Sequence, residues 1–262
     1  TRVKWLETVA VAFAMFSAIP VPQPVWNKQN MRYVMCAFPF IGAVIAACWC
    51  AVAWVCVQLG VSDVLRAVLL CAVPVVLTGG IHLDGYADVA DARASHAPME
   101  RKHEILKDPN CGAFALIRTA VYLLVYAGFC AEWRADWYGY CGAAASFFLS
   151  RCLSGWAVAG FPLAKNTGLA HTFAQSSDRT TVRIILTVLF TAVSAALAVF
   201  FGVCGLFAVA AALLVFARYY VVAKKEFGGI TGDLAGWFLQ RSELAMLVAV
   251  VLGQLGRNLQ WF

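Results

Sequence analysis

Charge is what this chain has least of. Asp, Glu, Lys and Arg together make up 13% of its 262 residues, while 62% are hydrophobic. A soluble domain carries about a quarter charged residues. Half that share excludes an ordinary water-solvated domain and makes the bilayer the solvent. The apolar residues come in long unbroken runs, not alternating with polar ones, which excludes the strands of a membrane barrel. Zinc and redox-pair signatures are missing as well. There are ten cysteines but no C-x-x-C pair, and most cysteines lie in apolar runs, where a thiol is small apolar filler. His82, His96, His103 and His171 show no zinc spacing. No cleavable signal peptide is read at the start.

What the chain does have is a series of apolar segments. Leu6–Ile19 is short for a span and reads as a tilted or re-entrant segment, followed by an extended connector at Pro20, Pro22 and Pro24. Spans are expected at Val34–Gln58, at Val64–Leu77 with a kink at Pro74, at Ala113–Ala131 and at Trp137–Phe161. A helical hairpin, Ile184–Phe201 and Leu206–Val222 joined by Gly202–Gly205, and a short last span, Leu244–Leu255, complete the set. The fold class is therefore all-α: a polytopic integral membrane helical bundle of about seven spans plus a short N-terminal re-entrant segment, in one domain over residues 1–262.

Three polar sections interrupt the runs: Gly79–Cys111, Pro162–Arg183 and Lys224–Glu243. In the first, Pro98 suits the first position of a short helix that stops by Asp108, ahead of Pro109. Counting spans from Lys28 and Arg32 delivers all three sections to that same side. The opposite links are short and hold only Asp63, Glu132, Arg134 and Asp136 as charges. The net charge of +6 thus matters by its position, and the positive-inside rule makes the polar side cytoplasmic.

The densest motif is Gly79–Asp91, GGIHLDGYADVAD. Asp84, Asp88 and Asp91 stand at i, i+4 and i+7, and at about 100° per residue they share roughly 60° of a helix face. Acids so placed repel, so a cation sits among them or their pKa values rise. Magnesium is the simplest cation, taking one or two carboxylates and completing its shell with water and substrate phosphate. Such charges at the edge of a membrane are kept mainly for function, and Gly85, Ala87 and Ala90 leave room beside them. His82 faces away from Asp84 on a helix, and joins it if Gly79–Leu83 is not helical, which the paired glycines permit.

Further candidates are scattered along the chain. Gly228–Asp233, GGITGD, is either a plain turn or a loop whose Gly229, Thr231 and Gly232 cradle an anion beside Asp233. Lys107–Gly112, KDPNCG, sets Asp108 and Asn110 next to a stopped helix. Arg151, inside an apolar span, either snorkels to the surface or grips a phosphate through two parallel hydrogen bonds. Lys165 is a phosphate contact or a solvated loop charge. Acids with Arg and Lys at one face point to metal-assisted phosphoryl chemistry on a membrane-associated substrate.

These segments resemble the cobalamin synthase, or adenosylcobinamide-GDP ribazoletransferase, family along nearly the whole chain. GGIHLDGYADVAD is similar to the family's GG-x-HLDG-x-x-D-x-x-D signature, and Glu104–Gly112, EILKDPNCG, to its E-I-x-KD-x-x-x-G. Phe16–Pro22 with Phe38–Gly42, Arg151 with Pro162–Leu169, and Gly228–Asp233 look like its other motifs. Ala92, Ala115, Lys165 and Gln240 depart from the usual Gly, Gly, Arg and Glu. The resemblance implies an inner-membrane enzyme with a cytoplasm-facing site. It joins a ribose hydroxyl of α-ribazole, free or 5′-phosphorylated, to the activated phosphate of adenosylcobinamide-GDP, and GMP leaves. It implies Mg²⁺ as cofactor, and the residues fit that reaction with Mg²⁺ on Asp84 and Asp88, Asp91 as general base, and Gly229–Asp233 with Asp108 completing the metal or guanylyl site. It admits membrane lipid, a homo-oligomer and other cobalamin-assembly enzymes as partners, and no nucleic acid.

Two rival readings stand beside it. A CDP-alcohol phosphotransferase also gathers aspartates on membrane helices, but its DG-x-x-AR and gapped acid spacing are missing. A cation or cobalt transporter holds acids within spans and shows repeated halves, whereas here the acids follow a span.

Overall fold

The computed structural model describes residues 5–22, 24, 26–164 and 169–258. Eleven helices make up the described chain: α1 (Trp5–Phe16), α2 (Lys28–Met31), α3 (Val34–Gln58), α4 (Asp63–Thr78), α5 (Ile81–Ala94), α6 (Met99–Ile105), α7 (Ala113–Glu132), α8 (Trp137–Gly160), α9 (Leu169–Ser176), α10 (Arg179–Phe227) and α11 (Gly232–Asn258). The extended structure among the described residues is a single parallel bridge between Leu163 and Ile230. The all-α membrane bundle expected from composition is what forms.

Four helices, α3, α7, α10 and α11, are long and apolar enough to cross a membrane, and α4 with α5 passes the same test only as a pair bent by 96°. That is four or five, and the seven expected spans would need α4 and α8 to cross as well and α10 to cross twice. α1, at twelve residues, rises only about 18 Å, too little for a hydrocarbon core of about 30 Å.

Local chemistry sets most boundaries. Ser62, Asp136 and Asp178 accept the backbone N–H three residues on and so start α4, α8 and α10. α4 ends in two left-handed glycines, Gly79 at φ 63° and Gly80 at φ 78°, and this pair, not Pro74, makes the sharp turn into α5. The apolar arm is α4, while α5, carrying three acids, lies outside the spans.

The hairpin is tighter than expected. α10 breaks at Gly202 alone (φ 54°, ψ −129°). Gly205 then packs against the Leu197 carbonyl, which a straight helix would hold about 12 Å away, so the chain reverses there. Pro98 caps α6 from outside instead of opening it. The largest correction is at the C-terminal end. The polar section Lys224–Glu243 is not a loop beyond Gly232, because α11 begins there and runs unbroken. Its polar Gln240 and Glu243 are buried among Leu234, Trp237, Phe238 and Leu239, so they read as loop in sequence while serving as core. Within Pro162–Arg183, α9 is a further helix in a section that reads as loop.

α8 is buried along almost its whole length and packs against α3, α10 and α11. Its Arg151, 1% exposed, donates to Glu243 of α11 at 2.7 Å and to the Phe147 carbonyl at 2.9 Å. A charge at that depth is tolerable only when paired. At one end of the bundle the polar sections tie together through Arg32–Asp178 (2.9 Å), Arg93–Glu226 (2.8 Å) and Lys102–Glu226 (3.2 Å). At the other end, Gln254 bonds the backbone N–H and carbonyl of Arg134 and the carboxylate of Asp136. The polar sections meet at a single end, as the alternation of spans requires.

Candidate functional site

α5 lies across the start of α11, and two glycines set how closely. A Cβ on Gly85 would stand 2.8 Å from the Asp233 carbonyl oxygen, and one on Gly236 would stand 2.8 Å from that of His82. With hydrogen at both positions the helices touch backbone to backbone. That contact brings Asp233, in the first turn of α11, to the acid face of α5.

Asp84 is exposed, while Asp88, Asp91 and Asp233 are half-buried. Partial burial, reinforced by the negative charges of Asp84, Asp233 and Asp91, pushes the Asp88 carboxyl up to about 6. The acid face of α5 and the GGITGD segment, separate in the sequence, are therefore one electrostatic unit. Among the described residues, Asp84, Asp88 and Asp91 make no side-chain hydrogen bond or ion pair. Also among the described residues, no three His, Cys, Asp or Glu side chains converge on one point where an ion would sit.

The remaining candidates divide. Gly112 packs directly on the Asp91 carboxylate, so the 107–112 segment borders the cluster. Asp108 itself is exposed and accepts from the backbone and side-chain amides of Asn110 at 2.9 and 2.8 Å; those two residues close their own turn. Thr231 caps α11, accepting from Leu234 N–H at 3.2 Å, and its hydroxyl reaches Asp233 at 3.4 Å. Gly229 is buried where the 228–230 turn meets Pro162 and Leu163, whereas Gly232 is open. Arg151 neither snorkels nor faces the cluster, being held by Glu243. Lys165 lies outside the described residues.

His82 departs from expectation in a useful way. Its backbone is helical, so it faces away from Asp84 around α5, yet both side chains line one cavity that wraps the first turn. That cavity, of about 130 Å³, is lined by Phe16, Phe38 and Phe173 as well as by His82, Asp84 and Asp233. His82 is 5% exposed, and its Nε2 has no hydrogen-bond partner. Burial, with the Arg151 cation beyond Phe38, keeps its imidazole neutral.

Sequence reasoning missed a second group. Arg93, Arg118 and Arg218 lie close enough to Arg241 to act on it electrostatically, and Arg93 and Arg241 sit 5.5 and 5.3 Å from the Trp237 ring. Arg118, Arg218 and Arg241 have no carboxylate within ion-pair distance among the described residues. Basic residues inside otherwise apolar helices were the available signal. On α5, Arg93 stands about 180° from Asp84, so these cations lie on the side away from the acids.

The family model described as cobalamin-5-phosphate synthase matches residues 8–251. A protein from Lachnoclostridium phytofermentans named adenosylcobinamide-GDP ribazoletransferase is 41% identical over 251 residues, covering 96% of this chain and 95% of its own. Proteins of the same name from Clostridium perfringens and Geobacillus kaustophilus are 33% and 31% identical, covering 89% and 90% of this chain and 92% of their own length. No solved structure matches.

Proposed function

The chain belongs to the cobalamin-5-phosphate synthase family, and from that premise we propose that it is a transferase of cobalamin synthesis. It joins the cobinamide phosphate of adenosylcobinamide-GDP to α-ribazole or its 5′-phosphate, with release of GMP. The membership removes the CDP-alcohol phosphotransferase and transporter readings. The observation that carries the chemistry is the gathering of Asp84, Asp88, Asp91 and Asp233 from two helices, with no base among the described residues against the first three.

Magnesium fits this donor set. All four groups are hard oxygen donors, and repulsion among them is what a divalent cation relieves. Because Mg²⁺ takes one or two carboxylates and keeps waters and phosphate oxygens, three convergent side chains are not required. Asp84 and Asp88 would hold it, with Asp233 beside them. When bound, the ion supplies charge neutralisation at the diphosphate and at the departing GMP oxygen. Asp91, one turn beyond Asp88, accepts the proton of the attacking hydroxyl. The 107–112 segment, packed on Asp91 by Gly112, limits water on that side. The backbone contact at Gly85 and Gly236 fixes the spacing of the two acid-bearing segments, on which orientation of the reacting groups depends.

The site faces the cytoplasm from the inner membrane in this reading. Arg32, Arg93, Lys102, Arg118, Arg218 and Arg241 gather at the end that carries the acids, which the positive-inside rule assigns to the cytoplasm. Detergent-solubilised full-length protein, given adenosylcobinamide-GDP and α-ribazole, is expected to release GMP and form the phosphodiester. Release requires added Mg²⁺ and stops with EDTA. Absence of GMP under those conditions overturns the activity, while release unaffected by EDTA overturns the metal assignment alone.

A further inference from the structure

Beyond the break at Gly202, α10 packs against α11 and leaves a groove of about 620 Å³ along the seam. The two helices run antiparallel there. At one end Cys204 Sγ is 3.9 Å from the Gly253 carbonyl oxygen, and at the other Tyr219 stacks on Phe238 with ring centroids 4.9 Å apart. Phe207, Ala211 and Leu214 form one wall of the groove, and Ala245, Val248 and Leu252 the other. Phe207, Leu214 and Leu252 are exposed, so in a bilayer the groove is solvated by acyl chains. Both walls end in a cation. Phe207, Ala211 and Leu214 continue at the same helical spacing to Arg218, and Arg241 precedes Ala245, Val248 and Leu252 in the same way. Arg218 is nine residues before the end of α10 and Arg241 nine residues after the start of α11, so the antiparallel packing sets them level.

Positive charge collects at that level. Arg118 of α7 and Arg93 of α5 join Arg218 within electrostatic reach of Arg241, whose guanidinium lies 5.3 Å from the Trp237 ring and is steadied by it. Arg118, Arg218 and Arg241 are exposed and have no carboxylate within ion-pair distance among the described residues. An anion from outside the chain relieves their repulsion, and a guanidinium meets a phosphate through two parallel hydrogen bonds. We propose that this seam binds one anionic phospholipid, with its phosphate on Arg218 and Arg241 beside Arg118 and one acyl chain in the groove. The site is separate from the acid face of α5 and does not depend on the reaction carried out there. A zwitterionic lipid offers the same phosphate but brings its ammonium group among the arginines, so the seam favours a headgroup of net negative charge. A second copy of this chain is the competing occupant of the groove. Related by a two-fold axis along the membrane normal, it would set the same arginines against one another.

The test titrates the full chain in detergent with dioleoyl phosphatidylglycerol or dioleoyl phosphatidylcholine and counts bound lipid by native mass spectrometry. The parent is expected to hold one phosphatidylglycerol at least tenfold more tightly than phosphatidylcholine. Arg218→Gln combined with Arg241→Gln is expected to abolish that preference. Ala211→Phe and Ala245→Phe fill the groove from opposite walls and leave the cations in place, and each is expected to weaken binding of both lipids at least tenfold. Arg134→Gln combined with Arg257→Gln removes two charges at the other end of the bundle and is expected to leave lipid binding unchanged. Equal losses from the two double variants would show attraction by net charge alone and overturn the site. Displacement of phosphatidylglycerol by pyrophosphate, or a tenfold rise in KM for adenosylcobinamide-GDP when Arg218 and Arg241 are replaced, would overturn it in favour of a substrate phosphate. A parent dimer that Ala211→Phe or Ala245→Phe converts to monomer with no loss of lipid would give the groove to a second copy.

Discussion

On one face of α5, Asp84, Asp88 and Asp91 stand with no base against them among the described residues, and Asp88 is held up at about 6. On the opposite face, Arg93 grips Glu226 through three hydrogen bonds of 2.8 to 3.2 Å and lies over Trp237. Both faces belong to the same short helix. The paired face fixes α5 to the end of α10, and its electrostatics are already satisfied. The crowded face is unfavourable on its own and becomes favourable only when a cation arrives. Charge that is paired holds this fold together, and charge that is unpaired is available for chemistry.

The sharpest way to break that contrast is to neutralise one residue on each face. Asp84→Asn is expected to lower GMP release about a thousandfold, the scale of losing a group that stabilises developing charge. Arg93→Gln is expected to stay within about threefold of the parent while melting earlier. Equal losses in turnover from both would erase the distinction. A deeper test is the Arg151–Glu243 pair, 1% exposed on both sides. Glu243→Gln leaves a buried guanidinium uncompensated and should cost about 3–5 kcal/mol of stability, whereas Arg151→Met combined with Glu243→Leu should recover most of it. The midpoint of unfolding in detergent reads both. A double variant no better than the single one would show that the pair does more than hold α8 to α11.

A third variant acts on the spacing of the acids and not on their charge. Gly85→Ala puts a methyl 2.8 Å from the Asp233 carbonyl oxygen, so α5 and α11 must part by a few tenths of an ångström. Overpacking of this kind costs about 1–3 kcal/mol. Turnover is expected to fall about tenfold, since small misplacements of reacting groups carry large rate penalties. Unchanged turnover would mean that Asp233 works independently of the acids on α5.

Much of this architecture is legible in the order of the residues. The apolar runs locate α3, α4, α7 and α8 to within a residue or two, because hydrocarbon solvation demands unbroken apolar helices. The i, i+4, i+7 spacing yields the acid face, because it depends on one helix alone. What stays hidden depends on partners distant in sequence. Glu243 looks like loop until Arg151, 92 residues away, neutralises it, and so nearly the first half of α11 reads as a polar section. Arg118, Arg218 and Arg241 reside on three different helices and form a group only in space. By periodicity, His82 needs a non-helical backbone to join Asp84. It joins instead through a cavity that wraps the helix, which no periodicity argument contains.

The smallest effect expected is also the most direct reading of the crowded face. A carboxyl whose folded pKa is raised favours the fold while protonated. Its contribution is complete below the unfolded value of about 3.8 and is lost as pH rises through about 6. In Asp88→Asn that loss is absent. Without metal, the variant and the parent should melt together near pH 4, and the variant should melt higher at pH 7. The gap is expected to be about 2–4 °C, because solvent screens a half-buried site. Added magnesium should then reverse the order, since the parent gains stability from a ligand that the variant binds poorly. Were the two proteins to melt in parallel from pH 4 to pH 7, the acids of α5 and α11 would not be crowded in solution. The contrast between the two faces of α5 would then rest on hydrogen bonding alone.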